Sequence, residues 1–250
     1  MTMTRPHAIV LAALSFAFAP HALAQSGPAT SSRAQSPSPS RAASAPLVAA
    51  DPQQARVLAA IEAAERGGFD AGANADLVRH PLYGWIEYAA LRRDIDTLPR
   101  ARAEAFLARY DGQAVGAAFR ELWIAAASRR EDWPALMAAW RPGIKSTELR
   151  CAQLNARRAL APADAAWIAE AQAIWRGAGK PLSATCDTTF ASLAAAGGLT
   201  PALRWERIDA AAAERQPAVI RSVARGLPAD DAALANDYAA FLDGVHARAL

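Results

Sequence analysis

Apolar residues recur along most of the chain at helical spacing. After Pro81 they fall at Leu82, Trp85, Ile86 and Ala89, the i, i+3, i+4, i+7 pattern of one helix face. Proline suits a first helical turn, where its missing N–H has no partner to lose. The pattern predicts a helix from Pro81 to about Asp96, and Pro99 starts the next, with Ala103, Phe106, Leu107 and Tyr110 on its face. Gln53 to Arg66 reads as a helix stopped by Gly67-Gly68. Val115, Ala118, Phe119, Leu122 and Trp123 mark another. Asp132 reads as the cap of a short helix running to Trp140, and Thr147 to Leu160 as a longer one. Ala163 to Arg176 carries Trp167, Ile168, Ala171, Ile174 and Trp175. Thr185 to Ala196 follows, and Thr200-Pro201 pairs an N-cap with a proline at the first helical position. Leu234, Tyr238, Phe241 and Val245 mark a last helix.

No stretch alternates with the two-residue period of a strand. The expected fold is therefore all-α. Helices of this length with short breaks suggest antiparallel helix pairs stacked as an α-α superhelix, a solenoid of the tetratricopeptide kind. Trp85 to Trp123 spans 38 positions, and so does Trp167 to Trp205, which points to a repeat near that length or to chance.

The first fifty residues follow a different pattern. Arg5 precedes an apolar run from Ala8 to Ala19, and Ala22-Leu23-Ala24 is a small-x-small cleavage signal. Residues 1–24 read as a signal peptide, with Gln25 as the mature start. The run is short for a membrane span, which needs roughly 20 apolar residues, and no cysteine follows to carry a lipid. A stable membrane anchor is not expected. Residues 25–50 are rich in Ser, Pro and Ala and hold few large apolar side chains, so they read as a disordered linker. Residues 51–250 are left as the helical domain. The expected location is the periplasm.

Charge adds little. The formal net charge is +3 at pH 7, but Arg5, Arg33 and Arg41 carry that excess before residue 51. From Asp51 onward acidic and basic side chains balance, which argues against nucleic acid as a partner.

Candidate chemistry is sparse. Cys151 and Cys186 are the two cysteines. In an exported protein an even count makes a disulfide the default, with two buried thiols as the alternative. His80 and His246 are the histidines beyond the leader, and their spacing from the cysteines does not fit a zinc site. No nucleophile elbow or phosphate loop is present. Asp94/Asp96, Glu131/Asp132 and Asp230/Asp231 are carboxylate pairs, each as well explained by a cap or a solvated face. We assign no catalytic, cofactor or metal residue and expect no cofactor. Arg92-Arg93, Arg129-Arg130 and Arg157-Arg158 are candidate anion contacts, since arginine pairs with carboxylates through two parallel bonds.

The literal strings carry more than the pattern. His80-Pro81-Leu82-Tyr83, the aromatic-x-Glu87-Tyr88 step and a following Leu-Pro resemble the N-terminal helical region of the soluble lytic murein transglycosylases. The resemblance continues through Arg130-Glu131-Asp132-Trp133, Glu148-Leu149-Arg150-Cys151, Trp175 to Cys186-Asp187, and Leu203-Arg204-Trp205-Glu206-Arg207-Ile208. It covers about residues 75–215. It implies a U-shaped superhelix, a Cys151–Cys186 pair and a periplasmic enzyme family that cleaves peptidoglycan glycan strands to 1,6-anhydro products. In that family the catalytic glutamate lies in a Glu-Ser motif of a C-terminal lysozyme-like domain. This sequence has no Glu-Ser dipeptide and ends at Leu250.

The resemblance thus implies the non-catalytic helical part of such an enzyme, as a truncated product or fragment with the superhelix incomplete. Its expected role is to help form the ring that guides the glycan strand. Its expected partners are that strand, bound weakly, and the missing lysozyme-like domain. The alternative is a stand-alone periplasmic helical-repeat binding or scaffold module.

Overall fold

The computed structural model describes residues 52–244. The signal-peptide and linker readings, and Val245 and His246, lie outside the described residues. Within them the protein is all-α, with eleven α-helices, one 3-10 turn and no strand. The helices are α1 (Pro52–Glu65), α2 (Tyr83–Arg93), α3 (Arg100–Arg109), α4 (Ala114–Arg129), α5 (Trp133–Ala139) and α6 (Thr147–Leu160). They continue as α7 (Ala165–Arg176), α8 (Thr185–Ala195), α9 (Pro201–Ala213), α10 (Pro217–Ala224) and α11 (Ala229–Leu242).

Local chemistry starts several of them. The side chains of Asp132, Ser146, Asp164 and Thr200 accept from the backbone N–H groups of Ala135, Leu149, Trp167 and Leu203. Each bond satisfies an N–H that the helix leaves without a partner. Every substantial helix packing joins near neighbours in sequence, such as α1 with α2, α4 with α6, α6 with α8, and α9 with α11. That is the contact pattern of a helical repeat array.

The array contains two five-helix blocks, α2–α6 and α7–α11. Each helix of the first block starts 82 to 87 positions before its counterpart in the second. The third helix of each block ends alike. Glu131 (φ 56°) and Arg215 (φ 52°), 84 positions apart, both adopt the left-handed conformation. Past α4, Asp132 N–H donates to Ala127 O and Glu131 N–H to Ser128 O; past α9, Gln216 N–H donates to Ala211 O and Arg215 N–H to Ala212 O. This is the same C-terminal cap built twice. The blocks have separate cores. Phe106, Phe119, Trp123 and Leu136 anchor one; Trp167, Trp175, Leu203 and Ile220 anchor the other.

Four expectations need correction. The 38-residue tryptophan spacing is not the repeat. It is the distance from the first to the third helix of a block, Trp85 and Trp167 lying in α2 and α7 and Trp123 and Trp205 in α4 and α9. The helix expected from Pro81 begins at Tyr83, and Leu82, placed on its apolar face, is exposed in the preceding turn. Here His80 Nδ1 accepts from Leu82 N–H at 3.1 Å. Helix α10 was not anticipated. In α11 the inward side chains are Ala235 and Ala239, while Leu234, Tyr238 and Phe241 face outward.

A tight join organises the first block. Tyr110, just past α3, lies against Gly84 of α2 and Gly116 of α4. A Cβ at Gly84 would meet the Tyr110 ring at 2.7 Å, and one at Gly116 would meet Tyr110 O at 2.0 Å. Only glycine permits that approach. The Tyr110 hydroxyl donates to Glu87, which also pairs with Arg109 at 3.0 Å.

Candidate functional site

Among the described residues a groove of about 500 Å³ lies between α4, α6 and α8. Its floor is apolar, from Leu149 and Ala152 of α6. Ser128 comes from the last turn of α4. The left-handed cap then carries Glu131 and Trp133 to the rim within three residues. A non-glycine residue in that conformation costs on the order of 1 kcal/mol. Helix α8 adds Thr185, Thr188 and Ser192.

The walls are fixed to each other. Cys151 of α6 and Cys186 of α8 form a disulfide, with their Cα atoms 5.0 Å apart. Beside it Thr189 Oγ1 donates to Asn155 Oδ1 at 2.7 Å, and Asn155 Nδ2 donates to Thr185 O at 2.9 Å. The groove is therefore preorganised rather than assembled on binding. Its chemistry is hydroxyls, an indole and charged side chains at the edge. That set suits a polar, hydroxyl-rich ligand with one flat apolar face.

The arginine pairs resolve unevenly. Arg92 pairs with Glu65 at 4.0 Å, Arg93 with Asp94 at 2.7 Å, Arg129 with Asp96 at 2.5 Å and Arg157 with Glu170 at 2.8 Å. Arg130 donates to Ile95 O and Asp96 O, both at 2.9 Å. Arg158 is exposed on the groove and has no such partner among the described residues. Of the carboxylate pairs, Asp94 and Asp96 serve these arginines, Asp132 caps α5, and Asp230 and Asp231 lie in the first turn of α11.

The residues singled out from sequence do not converge on one site. His80, Pro81 and Leu82 form the turn into α2, Tyr83 is buried behind it, and Tyr88 stacks edge-on with Trp85 and Phe119. Burial, then the bond to Glu87, raises the Tyr110 phenol well above its ordinary 10.0. Burial, then the Glu87 charge, also raises Tyr83. Trp133 reaches the groove beside the disulfide, together with Glu131, Glu148 and Leu149 of the quoted strings and Arg129 and Arg158 of the arginine pairs. Trp175 is buried, its indole N–H donating to Leu203 O at 3.0 Å. Glu206 pairs with Arg176 at 2.9 Å. Arg207 is buried, with its guanidinium carbon 4.2 Å from the Trp175 ring centroid.

Asn155, Thr188 and Ser192 escaped sequence reasoning. A signal existed in α6, where positions 148, 152, 155 and 159 share one helix face, but nothing in the sequence says that α8 lies opposite.

Fold and groove define a helical-repeat protein with a polar, covalently braced surface cleft. Comparison with known proteins sharpens that class. No family model matches the chain. The soluble lytic murein transglycosylase of Salmonella typhimurium is 26% identical over 151 residues, which is 60% of this chain and 23% of the relative. The enzyme of that name from Escherichia coli aligns with the same figures, 26% over 151 residues. The chain thus spans about a quarter of the length of the curated relatives it matches.

Among solved structures, the 70-kDa soluble lytic transglycosylase of Escherichia coli superposes with TM-score 0.65 at 22% identity, covering 76% of this chain and 30% of that one. The 70-kDa soluble lytic transglycosylase in complex with bulgecin A gives 0.66 at 23% identity, over 76% and 31%. An inactive mutant of lytic transglycosylase Slt from Pseudomonas aeruginosa gives 0.63 at 24% identity, over 75% and 30%. The resemblance is to the soluble lytic murein transglycosylases, over a partial region of those larger proteins. The fold of the described residues resembles their helical superhelix.

Proposed function

We propose that this chain is the non-catalytic helical part of a periplasmic lytic transglycosylase, one that helps form the ring guiding a glycan strand. One observation carries the reading. The fold matches the 70-kDa soluble lytic transglycosylase over 76% of this chain and 31% of that chain. On this reading residues 1–24 are a signal peptide cleaved before Gln25, residues 25–50 a disordered linker, and residues 51–250 a U-like helical domain. The partners are murein glycan strands and a lysozyme-like domain.

The groove is the contact surface under this proposal. A sugar ring has one apolar face, which an indole such as Trp133 stacks against, and hydroxyls that Ser and Thr side chains meet. Arg158 supplies a cation for the carboxylates of the stem peptides. Cleavage is assigned elsewhere. A glycosidic oxygen needs a proton donor within hydrogen-bond reach, held in an environment that raises its pKa. Glu131 and Glu148 are exposed on the rim and lack the apolar enclosure that such a donor needs.

The test is product analysis. Purified chain incubated with sacculi releases no 1,6-anhydromuropeptides. Anhydro products that persist through re-purification, and vanish when one glutamate of this chain is replaced, would overturn the proposal.

A further inference from the structure

Each block holds a cavity at the same place, between its second, third and fourth helices. In the first block it measures about 340 Å³ and is lined by Trp123, Ala135, Ala138 and Ala139. In the second it measures about 370 Å³ and is lined at the matching positions by Arg207, Val219, Ser222 and Val223. A buried guanidinium reaches each cavity, but the two are satisfied differently.

In the first block Arg120 donates to Ala139 O at 3.1 Å and to the Asp111 carboxylate at 3.1 Å. The chain supplies its own anion there. In the second block Arg207 is 8% exposed and lies over Trp175 at 4.2 Å and Phe190 at 5.4 Å. Its Nε donates to Ala178 O at 3.1 Å. No carboxylate comes within ion-pair distance among the described residues, and its two terminal nitrogens have no partner. Among the described residues no fully buried side-chain nitrogen lacks a bond, so these two keep some accessibility, and Arg207 lines the cavity. Burial pulls this guanidinium down to about 10, with Asp187 opposing. A charge held at such a cost without a counter-ion marks a site awaiting one.

We propose that this cavity binds the C-terminal carboxylate of a short peptide with small apolar side chains. The free fork of Arg207 presents two parallel N–H donors, the geometry that matches a carboxylate. Trp175, Phe190, Val219 and Val223 form an apolar wall, which favours apolar over charged side chains on the peptide. Asp187, also on the lining, is an acceptor for the peptide N–H. A fatty acid offers no such donor, and a dianion is repelled by Asp187.

The site does not rest on strand guidance. It is a different surface from the groove and is tested with soluble peptides, so the two readings fail separately.

The experiment is a titration of the full chain with acetyl-alanyl-alanine, in L and D forms, each as free acid and as C-terminal amide. The readout is the indole N–H resonance of Trp175, which its bond to Leu203 O holds in place. At least one free acid shifts that resonance with millimolar affinity, and its amide binds more than tenfold weaker. Binding of the L form points to ribosomal peptides as the source, and binding of the D form to cell-wall stem peptides. Arg207→Met abolishes the shift. Ala218→Trp, at an exposed position near the start of α10 on the cavity lining, abolishes it with Arg207 intact. Asp111→Ala removes the acceptor of the Arg120 terminal nitrogen and makes the Trp123 resonance respond. No shift with any acid, equal binding of acid and amide, or an unaltered response in Ala218→Trp would overturn the proposal.

Discussion

The two five-helix blocks share element order, third-helix caps and cavity position, yet differ at the centre of their third helices. The first block places Trp123 there, 1% exposed, and neutralises its nearby arginine internally. The second places Arg207 at the matching position and leaves both of its terminal nitrogens without a protein partner among the described residues. An apolar core residue contributes stability outright, whereas a buried charge without a partner costs stability. The centre of the first block thus contributes stability, and the second keeps a polar feature that packing alone does not explain.

Exchanging the central residues gives the largest expected effect. Trp123→Arg removes a fully buried indole and introduces a charge without a partner. It should destabilise the protein by about 4 kcal/mol or more. Arg207→Met removes a charge from a similar place and should change stability by no more than about 1 kcal/mol, because the lost stacking and the freed Ala178 carbonyl offset the relief. Denaturant unfolding followed by circular dichroism measures both. Equal losses at the two positions would erase the distinction between the blocks.

The disulfide comes next. It joins α6, the last helix of the first block, to α8 of the second, across 35 positions of sequence. The chain-entropy model gives about 3–4 kcal/mol for a loop of this length. Reduction should lower stability by that amount and split one unfolding transition into two, since array helices lean on their neighbours. A single transition that stays put on reduction would contradict it.

A smaller effect separates the blocks by pH. The Tyr110 phenol is raised in the folded state, so folding favours its protonated form. That stability is fully present below the unfolded value of about 10 and is lost as pH rises beyond it. Tyr110→Phe should flatten the alkaline limb of a stability–pH curve and leave the region below pH 9 with a constant offset. An alkaline limb unchanged by the substitution would show that the phenol does not control it.

Much of the fold was legible from sequence because local signals agreed. Asp132 and Thr200 have the sequence context of caps and act as caps, and the helix expected over Thr147–Leu160 is α6. The misreadings have physical causes. Leu82 continues the apolar period but precedes the first helical turn, so periodicity misplaced it. The face of α11 was misassigned because alanines there are buried and the larger side chains are not. The short helix α10 opens at Gln216 with no side-chain cap to announce it, whereas the still shorter α5 opens at the Asp132 cap. The groove was not legible. Its lining comes from three helices whose proximity is a tertiary fact, so Trp133, Glu131, Glu148, Arg129 and Arg158, each singled out in the sequence, gave no sign that they share one groove. Nothing in the string Glu206-Arg207-Ile208 told a paired surface glutamate from a buried arginine beside it.

The role proposed for this helical array is to hold murein strands without cutting them. Its most direct test is sedimentation with purified sacculi at low and raised salt, comparing the chain with Arg158→Glu and with Arg79→Glu, an exposed control outside the groove. The unaltered chain and Arg79→Glu pellet with sacculi at low salt and are released by added salt, while Arg158→Glu stays in the supernatant. Failure of the unaltered chain to pellet, or equal pelleting of both variants, would contradict the account.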